Sequence, residues 1–455
     1  MSITGYTLKS VAFAIVSPSF AITLAMLGFM FYRKNKRTAV MQQMIIGERI
    51  NSPLELTMSQ LVLGIFAGAL ASLMLSYLGV MFGENSGIHI MFIFSILLLF
   101  FNPRFICFSY SGALLGIFSI IMNIIKDPLS TIYPNIDMIT KPFYIDIAAL
   151  MTLVGVLHIV EGLLVLIDGD RGALPIFTNK EGKIMGGFAL KRYWAIPIAI
   201  LLIFNNGSVI GGESITAPSW WPIVKGPLTL DILSIAIIGI MPFYGVIGYN
   251  GVTFSKSKKE KSTSSGIGIL LYGVILTVLA QLANKGFAWQ LFVILFAPLG
   301  HEVMLNVQKL IESKSEPKFI SDEEGLVVLE VAPDSPAHKV GIRSGDKLLE
   351  INDYRIENEA TFYSFVNKSI TDMKVKLKDS KGTIKELMVN KIEGKRIGLV
   401  LVPRFMPKED VITNVSNGGF SEILNNLKKH EDENHKENEN EENAKEEENH
   451  KDEEK

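Results

Sequence analysis

Along the first two thirds of the chain, apolar residues run together with no period-2 alternation, in stretches long enough to cross a hydrocarbon core. Nine such runs stand out, at 10–32, 59–82, 88–102, 105–125, 143–167, 193–209, 229–250, 266–284 and 286–306. Each is expected to be a membrane helix; those at 88–102 and 193–209 are the shortest. Beyond Ser315 the pattern changes to short alternating segments punctuated by Gly, Asp and Asn, as in a small β-rich module. The last thirty residues, rich in Asn, Glu, Lys and His, have no aromatic residue and no apolar period. The expected organisation is a multi-span domain of about nine helices over 1–310, a folded module over 316–404, a linker over 405–425 and a disordered acidic tail over 426–455.

Basic residues orient the spans, because short cytoplasmic loops carry the Lys and Arg excess. Four lie in Arg33–Arg37 and four in Lys256–Lys261, and the loop 168–192 holds Arg171, Lys180, Lys183, Lys191 and Arg192. The alternate loops hold none at 83–87, then Lys126 and Lys141, then Lys225, then Lys285. This alternation predicts an N-terminus outside and a C-terminus inside the cell. A lone Lys9 ahead of the first run favours an uncleaved reverse anchor over a signal peptide, although SPSFA offers small residues for cleavage. Residues 38–50 read as a short interfacial helix. The loop 168–192 reads as a hairpin whose end, Lys191–Trp194, would anchor at headgroup level.

Composition narrows the function classes. The 455 residues are 48% hydrophobic with a formal net charge of -2, and the tail alone holds thirteen acidic residues against six lysines. The remainder is only mildly basic, which gives no support to a nucleic-acid partner. A single cysteine, Cys107, excludes an internal disulfide and any cysteine-rich metal module. Seven histidines without paired ligand spacing give no expectation of a metal or other cofactor. Ionisable residues in the expected spans include His158 and Glu161, one turn apart, and the neighbours His301 and Glu302. Such residues are costly in hydrocarbon and face a bundle interior, so they form a candidate intramembrane polar cluster, or else simply lock helices together by hydrogen bonds. The segment HEVML (301–305) begins like an HExxH zinc motif, but Leu305 stands where the second histidine would be, and no catalytic residue is assigned.

The stretch Gly325–Ile356 resembles a bacterial PDZ domain: strand, then APDSPAHKVGI, then SGDKLLEIND. Ser335-Pro336 would start a short helix, Gly341 end it and Gly345-Asp346 make a turn. GKRIGLVLVP (394–403) is similar to the carboxylate-binding turn and groove strand, which in the permuted bacterial arrangement come last. The expected fold class is therefore a polytopic α-helical membrane bundle followed by a small α+β PDZ domain and a disordered tail. A PDZ domain takes an extended peptide, or a partner's C-terminus, as an added strand. On that resemblance the peptide site is Ile397, Gly398, Leu399 and Val400, facing Thr361, Phe362 and Phe365.

The whole arrangement, with HIVEG leading to RGALPIF and GGFALKRYW and with FAPLGHE before the module, resembles the MinJ type of Gram-positive membrane protein. That resemblance implies a scaffold at the cell membrane, in contact with lipid, that links a DivIVA-like protein to a MinD-like ATPase in division-site placement. The alternative is a PDZ-containing site-2-type intramembrane metalloprotease or a degenerate relative of one. The charged tail reads as an interaction segment or a source of repulsion from anionic lipid.

Overall fold

The computed structural model describes residues 2–47, 50–101, 103–132, 140–180, 182–204, 220–223, 237–368, 372–390, 392 and 396–404. The expected linker and acidic tail lie outside these residues. The chain opens with α1 (Ile3–Val16) and α2 (Pro18–Ile46), which meet at a 67° bend. Pro18 lacks the N–H that would continue α1, and its fixed φ suits the first position of a new helix. The first expected span is thus broken. α2 runs on through the basic cluster until Gly47, with φ 85°, ends it, so the expected interfacial helix is mostly the last turns of α2. Then come α3 (Pro53–Leu78), α4 (Ile90–Phe101), α5 (Phe108–Ile132), α6 (Ile147–Asp168), α7 (Lys258–Ala280) and α8 (Phe287–Lys314). Among the described residues five helices are long and apolar enough to span, or six when the bent pair counts as one.

The runs at 193–209 and 229–250 are not helices where they are described. A short strand, β1 (Met81–Gly83), and β2 (Leu174–Lys180) flank β3 (Lys183–Phe204), a 22-residue strand paired antiparallel with β4 (Ile237–Thr253) from Phe188↔Thr253 to Phe204↔Ile237. An apolar run alone does not separate a buried strand from a helix. Here Pro197 and Pro242 would break one, and Gly239, Gly245, Gly248 and Gly251 weaken it further. Side chains on both faces of β3 are buried, Trp194, Ile196 and Ile198 on one and Ala195, Ala199 and Leu201 on the other. Helix α3 lies directly on the strand: a Cβ on Gly64 or Gly68 would stand 2.1 Å from the carbonyl oxygen of Ala195 or Pro197. One turn further on, Ser72 Oγ accepts the Ala199 N–H at 2.9 Å. Strands at membrane depth require such internal partners, because lipid offers none.

Two residues of the expected headgroup anchor are also internal. Arg192 and Trp194 are buried because Asp168, at the end of α6, receives Arg192 Nε at 2.9 Å and Trp194 Nε1 at 3.0 Å. Helices α6 and α7 pack through glycines. A Cβ on Gly162 would meet the Leu270 nitrogen at 2.6 Å, and one on Gly273 the Ile159 nitrogen at 2.5 Å.

The C-terminal module consists of β5 (Phe319–Ile320), β6 (Leu326–Val331), α9 (Pro336–Lys339), β7 (Lys347–Ile351), β8 (Tyr354–Arg355), α10 (Glu359–Lys368), β9 (Met373–Lys378), β10 (Ile384–Val389) and β11 (Leu399–Leu401). Its sheet runs β10–β9–β7–β6–β11, with β8 on β7. The alternating burial of β9 buries Met373, Val375 and Leu377 over Phe362 of α10. The module is fastened to the membrane part. β5 pairs with β3 at Met185 and Gly186, Gly186 lies against Val402 and Leu329, and Lys258 Nζ meets the Glu330 carboxylate at 2.5 Å. The three basic clusters gather at this same end: Lys34 Nζ sits 3.3 Å from the Tyr193 ring centre, and Lys259 Nζ donates to Leu166 O at 3.0 Å. Between β2 and β3 a turn is closed by the Gly182 N–H on Asn179 Oδ1 at 3.1 Å.

Candidate functional site: the groove strand and an intramembrane polar cluster

Two places gather the residues singled out by sequence. The first is the outer edge of β11. Gly398 precedes this strand with φ 74°, and a Cβ there would stand 2.3 Å from Ser335 Cβ, so both conformation and space demand glycine. Gly398 O accepts the Ala332 N–H at 2.8 Å and Ile397 O the Ala337 N–H at 3.3 Å, which ties the turn to the start of α9. Ser335 caps α9 by accepting the His338 N–H. The strand then pairs Leu399 with Val331 and Val400 with Glu330.

Groups on alternate residues of a strand face opposite neighbours, so Leu399 and Leu401 turn their backbone away from β6. There they meet Tyr363 of α10. Its hydroxyl donates to Leu399 O at 3.0 Å, and the Leu401 N–H lies close enough to act on it. Burial pushes this hydroxyl up to about 12, partly offset by the Leu401 N–H. Glu359, one turn earlier on α10, lies close enough to act on Tyr363, and its Oε2 is buried with no hydrogen-bond partner among the described residues.

The expected groove residues divide. Ile397, Leu399 and Phe362 are side by side in the hydrophobic core. Val400 is buried outside that cluster. Phe365 stacks on Tyr354 of β8, with ring centres 5.4 Å apart, and the Thr361 hydroxyl is held by Asn358. The residue facing the β11 backbone is Tyr363, which the apolar stripe did not single out because its working atom is polar.

The second place lies where α5, α6, α7 and α8 meet. His158 and His301 stand near the midpoints of α6 and α8. Their ring centres are 5.7 Å apart. Cys107, just before α5, lies between them, with Sγ 3.0 Å from His158 Nε2 and 3.6 Å from His301 Nε2. Glu161 approaches His158 Nε2 at 3.9 Å, while Glu302 accepts a short hydrogen bond from the Tyr110 hydroxyl. Ser109 Oγ lies 3.2 Å from His158 Nε2 and 2.8 Å from Tyr272 Oη, which itself donates to Ala297 O at 2.6 Å. The two pairs found by sequence thus come together, joined by Cys107, Ser109, Tyr110 and Tyr272. The only sequence signal for Cys107, Ser109 and Tyr110 was the segment CFSYS opening an apolar helix, and Tyr272 had none.

Comparison with known proteins agrees with this architecture. A PDZ domain family model matches residues 305–389, stopping short of β11, which completes the sheet here. "Probable cell division topological determinant MinJ" of Lacticaseibacillus paracasei is 22% identical over 267 residues, 56% of this chain and 66% of that protein. "Cell division topological determinant MinJ" of Bacillus subtilis is 22% identical over 258 residues, 55% of this chain and 60% of that protein. A Clostridium acetobutylicum protein named "Putative zinc metalloprotease" is 27% identical over 140 residues, 30% and 39% of the two lengths. The matched stretch therefore spans under two thirds of each relative. The chain is a polytopic membrane protein with a C-terminal PDZ domain, similar to MinJ.

Proposed function

We propose that the chain is a membrane scaffold of division-site placement, with its PDZ domain and C-terminus cytoplasmic and its N-terminus outside. The domain recruits partners by adding a peptide strand along β11, and DivIVA-like and MinD-like proteins are the partners the resemblance implies. The observation that carries the peptide site is the outward backbone of Leu399 and Leu401, whose Leu399 carbonyl is held in the meantime by the Tyr363 hydroxyl. Glu359, with its unpartnered oxygen, favours a peptide bearing a hydroxyl or cationic side chain at the facing position.

Orientation is supported by the gathering of the three basic clusters at the end that carries the domain. Replacing two expected helical spans by an antiparallel ribbon leaves this alternation intact, because both ribbon ends return to the same side. Photo-crosslinking in cells tests the reading. A crosslinker at Asn367, exposed on α10, should capture division-site proteins that one at Lys385, exposed on β10, does not. Equal capture from both positions removes the groove from the mechanism.

The metalloprotease-named relative motivates the second reading, in which the polar cluster is catalytic. Helix α8 runs unbroken through His301 and Leu305, so the position one turn along has no ligand atom to offer. Cleavage of a reconstituted membrane substrate, lost in Glu302→Gln, would establish that reading.

A further inference from the structure

We infer that Cys107, His158 and His301 form a binding site for a borderline-soft divalent cation, zinc first among them, within the helix bundle. Their ligand atoms all lie within 4.8 Å of one another. Tetrahedral zinc, with bonds of about 2.0–2.3 Å, places sulfur and nitrogen ligands roughly 3.5 Å apart. The observed Sγ–Nε2 separations of 3.0 and 3.6 Å bracket that edge, so a cation needs only a small opening at His158.

The tautomers point the same way. Val154 O can only accept, so His158 Nδ1, at 2.7 Å, carries the proton and Nε2 presents its lone pair to the sulfur. Tyr110 gives its hydrogen to Glu302, so its oxygen is left to accept from His301 Nδ1 at 3.4 Å, and again Nε2 faces inward. This outer shell, a carbonyl on one imidazole and a carboxylate-linked hydroxyl on the other, is the support that metal-bound histidines use.

Proton counting shows the same deficit. Tyr272 donates to Ala297 O, so Ser109 donates to Tyr272 and turns a lone pair toward His158 Nε2. One thiol hydrogen then faces two imidazole lone pairs, and one acceptor stays unsatisfied in a buried site. A cation in place of that hydrogen satisfies both. Charge also balances: a Cys107 thiolate and the Glu161 carboxylate, 3.9 Å from the same Nε2, neutralise a divalent ion, as an apolar bundle requires. The site stands whether the chain is a scaffold or a protease.

Purified full-length protein in detergent, stripped with chelator and titrated with cobalt(II) and then zinc(II), tests the assignment. We expect one cobalt ion per chain with a thiolate-to-cobalt charge-transfer band and tetrahedral visible bands, both bleached by zinc. Because Cys107 is the only cysteine, zinc should also slow its alkylation by a maleimide about a hundredfold, a readout that needs no variant. Cys107→Ser should abolish the charge-transfer band, and His158→Gln and His301→Gln should each weaken binding about a hundredfold or more. Tetrahedral bands that persist without a sulfur contribution in Cys107→Ser at unchanged affinity would place the ion elsewhere. Alkylation that zinc leaves unchanged, as for a thiolate paired with an imidazolium alone, overturns the site.

Discussion

Tyr363→Phe separates the hydroxyl's occupation of the β11 edge from the rest of the domain. The ring stays in place beside Phe362, with centres 5.5 Å apart, while the bond to Leu399 O disappears. Such a bond contributes about 0.5–1.5 kcal/mol net, and the peptide-free domain should lose that much. An added peptide strand uses the same backbone carbonyl. In the parent protein it must first displace the hydroxyl, and in the variant it need not. Peptide affinity should therefore rise by about two- to tenfold, since each 1.4 kcal/mol is tenfold. The assay is fluorescence anisotropy with free-C-terminus peptides selected from a displayed library, run beside hydrogen exchange over residues 396–404, where the variant should lose protection. Unchanged or weaker peptide binding with the expected loss of protection would refute strand addition at this edge.

Gly398→Ala should destabilise the domain by at least about 2 kcal/mol, from the left-handed conformation and from the 2.3 Å approach to Ser335; chemical unfolding followed by exchange at β6 checks it. Loss of peptide binding in that variant would therefore report unfolding rather than a missing contact. Asp168→Asn should cost about 3–5 kcal/mol because it strands the buried Arg192 cation, and a large drop in thermal unfolding temperature in detergent is the readout; a shift within error would mean that water reaches the pair. Gly68→Leu should prevent α3 from resting on β3, seen as loss of a cysteine crosslink engineered between the two elements, whereas Gly83→Ala, with open space around it, should leave that crosslink intact.

The module was legible because its turns are chemically specific. Ser335-Pro336, Gly341 and Gly345 each answer a backbone requirement, and the strands between them alternate as half-buried strands must. The membrane part was legible only as apolar. Residues 193–204 and 237–250 satisfy the hydropathy of a span, and nothing in hydropathy separates a helix from a ribbon sheathed by helices. The discriminating signals were Pro197, Pro242 and the glycines of β4. The headgroup-anchor expectation for Arg192 and Trp194 failed because it treated them as a local cluster, while Asp168 is 24 residues away from Arg192 in sequence. The polar cluster was half visible: two histidines and two carboxylates can be picked out by charge, but a cysteine in an apolar run looks like core until the fold sets it between two imidazoles.

The fastening of the domain bears on how a scaffold of this kind works. A tethered module on a flexible linker raises a partner's effective concentration but presents its groove in every direction. Here β5 continues the membrane part's own sheet, Val402 follows the groove strand directly and lies against Gly186, and Glu330, paired with Val400 of that strand, is held by Lys258. The groove strand is thus one step from the β3–β4 ribbon. The peptide capture proposed along its outer edge would leave the inner edge paired with β6 and so hold the partner in one orientation relative to the bundle. A substitution that loosens this seam without touching the groove, such as Lys258→Ala, should keep peptide affinity in solution while reducing assembly of partners on vesicles. If both were unchanged, orientation would contribute nothing, and membrane confinement alone would account for recruitment.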